Sequence, residues 1–203
     1  MANTWDEFSK EKLKKIFTEK NNIVDIGGGL RVESSHGNRL EEKNEWLEGY
    51  IEKVDYKVLD KVPDYKPDIV GDIQDLPLDD NSVDAFICIA ILEHVEEPQK
   101  AVREMYRVLK PGGYCFIYIP FLYYYHPMQG YYKDFYRFTY DGVEYMCRDF
   151  SQVDIQNVRG ALSTVANLLP VFSKRTKVFD FIDKLFGKIN SKQTSGYYIF
   201  CTK

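Results

Sequence analysis

Apolar residues fall in short runs separated by polar turns, at 23–26, 58–59, 69–70, 85–90, 114–119 and 196–201. Runs this short, bounded by Gly, Pro, Asp and Asn, predict strands, and the nearly unbroken run 85–90 suits a strand buried on both faces. Between them, residues 98–109 place Ala101, Val102, Met105, Tyr106, Val108 and Leu109 at helical spacing. That helix is expected to end at Pro111-Gly112-Gly113, with Lys110 complementing its dipole. Strands alternating with helices up to residue 119 predict an α/β fold, a mostly parallel sheet with helices on both faces. Beyond it, 139–150 reads as a helix capped by Thr139 and 151–158 as an alternating strand. Residues 4–19 form an amphipathic helix with Trp5, Phe8, Leu13, Ile16 and Phe17 on one side, suited to covering a ligand site or an edge of the sheet.

An additional segment, about 161–190, carries Leu162, Val165, Leu168, Leu169, Val171 and Phe172, then Val178, Phe179, Phe181, Ile182, Leu185 and Phe186. Two short helices broken at Pro170 fit this spacing. Lys174, Arg175, Lys177, Lys184 and Lys188 interleave with the apolar positions. The bland expectation is a hairpin packed over the sheet or the active site. The sharper ones are a homodimer contact or a peripheral contact with an anionic membrane.

Composition narrows the function classes. The chain has 203 residues, enough for one domain with a substantial core, and a net charge of −4. Its Lys and Arg form no basic stripe, so no nucleic-acid partner is expected. Four single cysteines, Cys88, Cys115, Cys147 and Cys201, show neither zinc spacing nor a disulfide framework and read as core residues. No run approaches the roughly 18 apolar residues of a membrane span, and the polar N-terminus does not resemble a signal peptide. A cytoplasmic protein is the expectation.

The chemistry is carried by NIVDIGGGL (22–30), where a buried strand ends in Gly27, Gly28 and Gly29. Glycines there permit a tight turn and close approach of backbone to a ligand. A dinucleotide site would want a third glycine where Val32 stands, and Asp25 just ahead of the turn would repel a pyrophosphate. The same carboxylate would attract an ammonium group. With RVLKPGG (107–113) and DIVGDIQDLPLDDNSVDAFICIAILEHVEEP (68–98), the chain resembles the class I S-adenosyl-L-methionine (SAM)-dependent methyltransferases, in particular their methyltransferase type 11-like family.

That resemblance implies a Rossmann-like, seven-stranded sheet of order 3-2-1-4-5-7-6 over a single domain, 1–203. It implies SAM as cofactor, with Asp25, Gly27, Gly28 and Gly29 at its methionyl part. Asp60, with Asp55 as the alternative, would bind the ribose hydroxyls. Asp72 and Ile73 would bind adenine, and Ile89 and Ala90 would lie at the carboxyl end of the fourth strand. Glu93-His94 closes that strand near the methionine end. The stretch IPFLYYYHPMQGYYKDFYRFT (119–139) resembles a subgroup often linked with polysaccharide or glycan biosynthesis, which implies that it shapes the acceptor side.

Methyl transfer needs alignment of acceptor and methyl group, and a base where the acceptor is a hydroxyl. His126, with an ordinary pKa of about 6.5, is the first candidate base. His94 is the second and Asp134 the third. Tyr132 and Tyr136 would contact a sugar or flat acceptor. Arg137 would bind an acidic substrate group or pair with Asp134 as a brace. No His-Asp-Asp cluster appears, so no metal is expected. The leading expectation is a methyltransferase acting on a hydroxyl of a small-molecule or glycan-like acceptor. N- or C-methylation and a non-catalytic SAM-binding partner subunit are the alternatives.

Overall fold

The computed structural model describes residues 3–32, 41–172 and 176–203. Seven strands form one sheet: β1 (Asn22–Ile26), β2 (Asp55–Asp60), β3 (Ile69–Val70), β4 (Val83–Ile89), β5 (Leu109–Pro120), β6 (Gln152–Val158) and β7 (Gly196–Thr202). Their order is β3-β2-β1-β4-β5-β7-β6. The first five are mutually parallel, and β7 runs antiparallel to both β5 and β6. The expected Rossmann-like order is therefore the observed one. The central strands are buried on both faces, which is why they read as continuous apolar runs.

The two faces have separate cores. Val24, Ile26, Phe86, Cys88, Cys115 and Ile117 pack under α3 (Pro98–Val108) and α4 (Tyr140–Met146). Ile23, Ala85, Ile87, Phe116 and Phe200 pack under α1 (Thr4–Glu19) and the single turn α2 (Glu48–Ile51). Alternate residues of one strand thus feed opposite cores. All four cysteines are buried free thiols.

Several expectations are corrected. The helix α1 covers a face of the sheet, with Leu13, Ile16 and Phe17 in its core. The helix α3 stops at Val108, before the Pro-Gly-Gly turn, because Leu109 is already extended and pairs with Val83. Lys110 reaches sideways to Asp84 at 2.7 Å. Thr139 caps α4 by accepting from the Gly142 N–H, but the helix closes at Met146.

The largest departure concerns α5 (Ala161–Leu168) and α6 (Thr176–Leu185), which are built inside out. Their buried residues are Ser163, Thr164 and Ala166, then Thr176, Asp180 and Asp183. Val165, Leu168, Val178, Phe181 and Leu185 face outward, as do Val171 and Phe172 between the helices and Phe186 after them. The carboxylate of Asp183 explains the inversion, since it accepts from the N–H groups of Leu162 (3.0 Å) and Ser163 (2.8 Å) and so caps α5 from its neighbour. Lys174 and Arg175 lie outside the described residues, whereas Lys177, Lys184 and Lys188 are exposed. Among the described residues no helix is long and apolar enough to cross a membrane.

Candidate active site

The carboxyl ends of the parallel strands define one edge of the sheet, and β1 and β4 meet there. After Ile26 the chain turns through Gly27 (φ +74°) and Gly28 (φ +59°), a left-handed path that favours glycine. Close packing adds a second reason. A Cβ on Gly27 would sit 2.3 Å from Ile91 Cδ1, and one on Gly29 would sit 2.7 Å from Ile89 Cβ. The glycines thus let the turn lie directly on the end of β4.

Asp25 is fully buried beneath that turn. Its Oδ1 accepts from the Gly29 N–H (3.1 Å), and its Oδ2 accepts from the Leu30 N–H (3.0 Å) and the Tyr56 hydroxyl (2.7 Å). These bonds fix the loop, and a direct contact with a ligand's ammonium would be made through the acceptor capacity they leave.

Asp60 ends β2, half-buried, and accepts from the Val62 N–H at 2.8 Å. Burial pushes its carboxyl above the usual range, opposed by the backbone donors of Val62 and Lys61. It has no side-chain partner among the described residues, which suits it to a pair of ribose hydroxyls. Asp55 lies at the opposite end of β2 and pairs with Lys57 at 2.7 Å. Asp72 is differently placed: it caps its own turn through Gln74 N–H (2.9 Å) and holds Lys61 Nζ at 2.6 Å. Burial would raise its pKa, but these donors and the Lys61 charge bring it below the usual range. The expected role as adenine acceptor would have to displace Lys61. The Ile73 side chain is a core residue, so only its backbone can serve a ligand. At the end of β4, Ala90 has φ +56°, a conformation that costs a non-glycine residue energy and is typical of functional loops. Ile89 and Ala90 are both partly exposed.

Next to this edge lies a cluster that the sequence only half revealed. A short 3-10 turn, Leu92–His94, follows β4, and the aromatic loop 121–139 folds back on it. The Glu93 carbonyl accepts from the N–H groups of Phe135 (2.8 Å) and Tyr136 (3.2 Å), which anchors the loop. The Glu93 side chain is 1% exposed, and among the described residues its carboxylate accepts no hydrogen bond from any other residue. Burial pushes its pKa up to about 7, against the pull of its own backbone and of Arg137. His94 Nε2 lies 4.0 Å and His126 Nε2 3.8 Å from Glu93 Oε1. Burial lowers the His94 pKa, partly offset by its bond to the Lys133 carbonyl.

The remaining loop candidates sort by role. Asp134 has a fully buried side chain and meets Arg137 through two contacts, at 2.6 and 2.7 Å. The guanidinium holds its pKa down at about 2, which leaves it too weak a base for the role expected third. Arg137 also donates to the carbonyls of Tyr123, Tyr124 and Tyr136, so of its two readings the structure gives the brace. Tyr136 donates to the Glu96 carbonyl at 2.8 Å, and Tyr132 packs on His94 with ring centroids 4.3 Å apart. Tyr124, Tyr125, Tyr131 and Phe135 complete an exposed aromatic rim. Glu93 was missed as a site residue. The signal was its place beside His94 at a strand's carboxyl end, but its lack of partners exists only in the fold.

Fold and edge geometry define the class: a Rossmann-like domain with the strand order 3-2-1-4-5-7-6. Residues 45–117 match the methyltransferase domain family. A SAM-dependent methyltransferase from Archaeoglobus fulgidus superposes with a TM-score of 0.59, covering 98% of this chain and 94% of that one at 17% identity. That identity speaks for the fold alone. Among curated relatives, 2-methyl-6-phytyl-1,4-hydroquinone methyltransferase 2 of Oryza sativa is 28% identical over 48% of this chain and 29% of its own length. The demethylmenaquinone methyltransferase of Paenarthrobacter aurescens is 51% identical over 24% of this chain and 20% of its own. The chain spans less than a third of the length of these two relatives.

Proposed function

We propose that the chain is a SAM-dependent methyltransferase that methylates a hydroxyl on a small-molecule or glycan-like acceptor. SAM would lie along the carboxyl edge, with its methionyl part over the loop that Asp25 fixes and its ribose at Asp60. When bound, it supplies a methyl group on an electrophilic sulfonium. The chain's own task is then to align an oxygen with that methyl and remove its proton. The observation that carries the reading is the convergence of Glu93 Oε1, His94 Nε2 and His126 Nε2 beside this edge, with no donor from another of the described residues between them. A hydroxyl entering past the aromatic rim meets three basic atoms at once, and His126 is the more accessible of the two imidazoles.

A lipid-linked acceptor is a second reading, favoured by the outward apolar face of α5 and α6 beside exposed lysines. The phytyl-substituted hydroquinone in the name of one relative is a lipid-linked, hydroxyl-bearing ring of this kind. The test is calorimetric titration with SAM and its demethylated product, followed by turnover on hydroxylated acceptors. His126→Ala is expected to keep cofactor affinity and to lower kcat at least about 100-fold, the usual worth of a general base. Unchanged turnover would remove His126 from the chemistry. Cofactor binding without turnover on any acceptor would favour the partner-subunit alternative.

A further inference from the structure

We infer that Glu93, His94 and His126 form a binding site for one divalent transition-metal ion of the zinc class. One ligand atom from each residue lies within 4.8 Å of the other two. In His94, Nδ1 faces the Lys133 carbonyl at 2.7 Å. In His126, Nδ1 faces the Tyr124 carbonyl at 3.0 Å and Asp134 Oδ2 at 3.3 Å. Oxygens of these kinds only accept, so in His94 Nδ1 carries the proton and Nε2 turns a lone pair inward. In His126 the two oxygens favour the same tautomer, and Arg137 Nη2, 3.3 Å from Nδ1, is directed to those oxygens at 2.6 and 2.7 Å. Both inward lone pairs then converge on a buried carboxylate that, among the described residues, accepts from no other residue. Three such acceptors need a proton or a cation between them.

An imidazole held through Nδ1–H by a carbonyl or carboxylate while Nε2 is left to coordinate is the usual outer layer of a metal site. Two imidazoles and one carboxylate also form a set found around catalytic zinc and non-haem iron, with open positions for an oxygen ligand. The nearby guanidinium acts on Glu93 only through space, because its hydrogen bonds go to Asp134 and to backbone carbonyls. At zinc bond lengths of about 2.0–2.2 Å, tetrahedral donors sit roughly 3.4 Å apart, so the side chains need only close inward by rotation.

Metal binding here does not depend on the proposed activity. Its consequence for catalysis rests on that reading and alters one role in it: with Nε2 of His94 and His126 coordinated, neither could take the hydroxyl proton, and the ion would instead make an acceptor hydroxyl at an open position more acidic.

The test uses the full chain, stripped with a chelator, desalted and titrated with Zn2+ alone. One ion per chain at micromolar affinity or better is expected, and Glu93→Gln and His126→Ala should each weaken it at least about tenfold. Glu93→Gln removes a buried unpaired charge at nearly constant volume, so it keeps the test valid should His126→Ala fold poorly. Co2+ loading gives a readout without mutation: a visible spectrum lacking thiolate charge transfer is expected. Absent binding, equal affinity in both variants, or a thiolate band would each overturn the site. SAM titrated into the same samples separates the two readings. Zinc binding without SAM binding would overturn the methyltransferase proposal and leave the metal site standing.

Discussion

Fully buried, Asp25 organises the glycine turn by accepting from the Gly29 and Leu30 N–H groups and the Tyr56 hydroxyl. Asp25→Ala would leave the Gly29 and Leu30 N–H groups and the Tyr56 hydroxyl facing a void, at a cost of about 3 kcal/mol. A lower urea midpoint is expected, together with loss of SAM binding. Asp25→Asn, which keeps one oxygen, should lose less of both. The sequence made this residue visible because a carboxylate directly ahead of a glycine turn is chemically odd, but it left the direction of the side chain open. Glu93 is the converse case. In sequence it is an acidic residue beside a histidine, and its significance is a missing set of partners, which only the folded loop 121–139 creates by burying it.

At the scale of elements, the strands were legible because β1, β4 and β5 are buried on both sides and carry unbroken apolar runs. The helical pair was legible only in its period. Spacing located α5 and α6, but which face turns inward is decided by Asp183, 20 residues from the amides it caps. Gly160 belongs to the same joint, since a Cβ there would lie 2.5 Å from Asp183 Cγ. Asp183→Ala should therefore loosen α5 against α6 by about 1–2 kcal/mol, the worth of a lost helix cap. Hydrogen exchange is the direct measurement. Faster exchange at Leu162 and Ser163 is expected, with protection in β4 and β5 unchanged; uniform loss across the sheet would mean that the pair supports the whole domain.

For the whole molecule, the inverted pair sets an apolar face beside exposed lysines while its aspartates 180 and 183 are buried. Such a surface suits an anionic bilayer, and vesicles containing phosphatidylserine should sediment with the protein. Phe181→Glu with Leu185→Glu should abolish that binding. Dimers in sedimentation that dissociate with the same substitutions, and no vesicle binding, would assign the face to a second copy of the chain. The end of β4 joins the two halves of this edge. Ile91 occupies the space that Gly27 leaves open, and two residues later Glu93 enters the cluster with His94 and His126. The glycine turn and that cluster thus hang on a single lever three residues long. Under the proposed function, selection for a new acceptor that shifts this lever would also retune cofactor affinity.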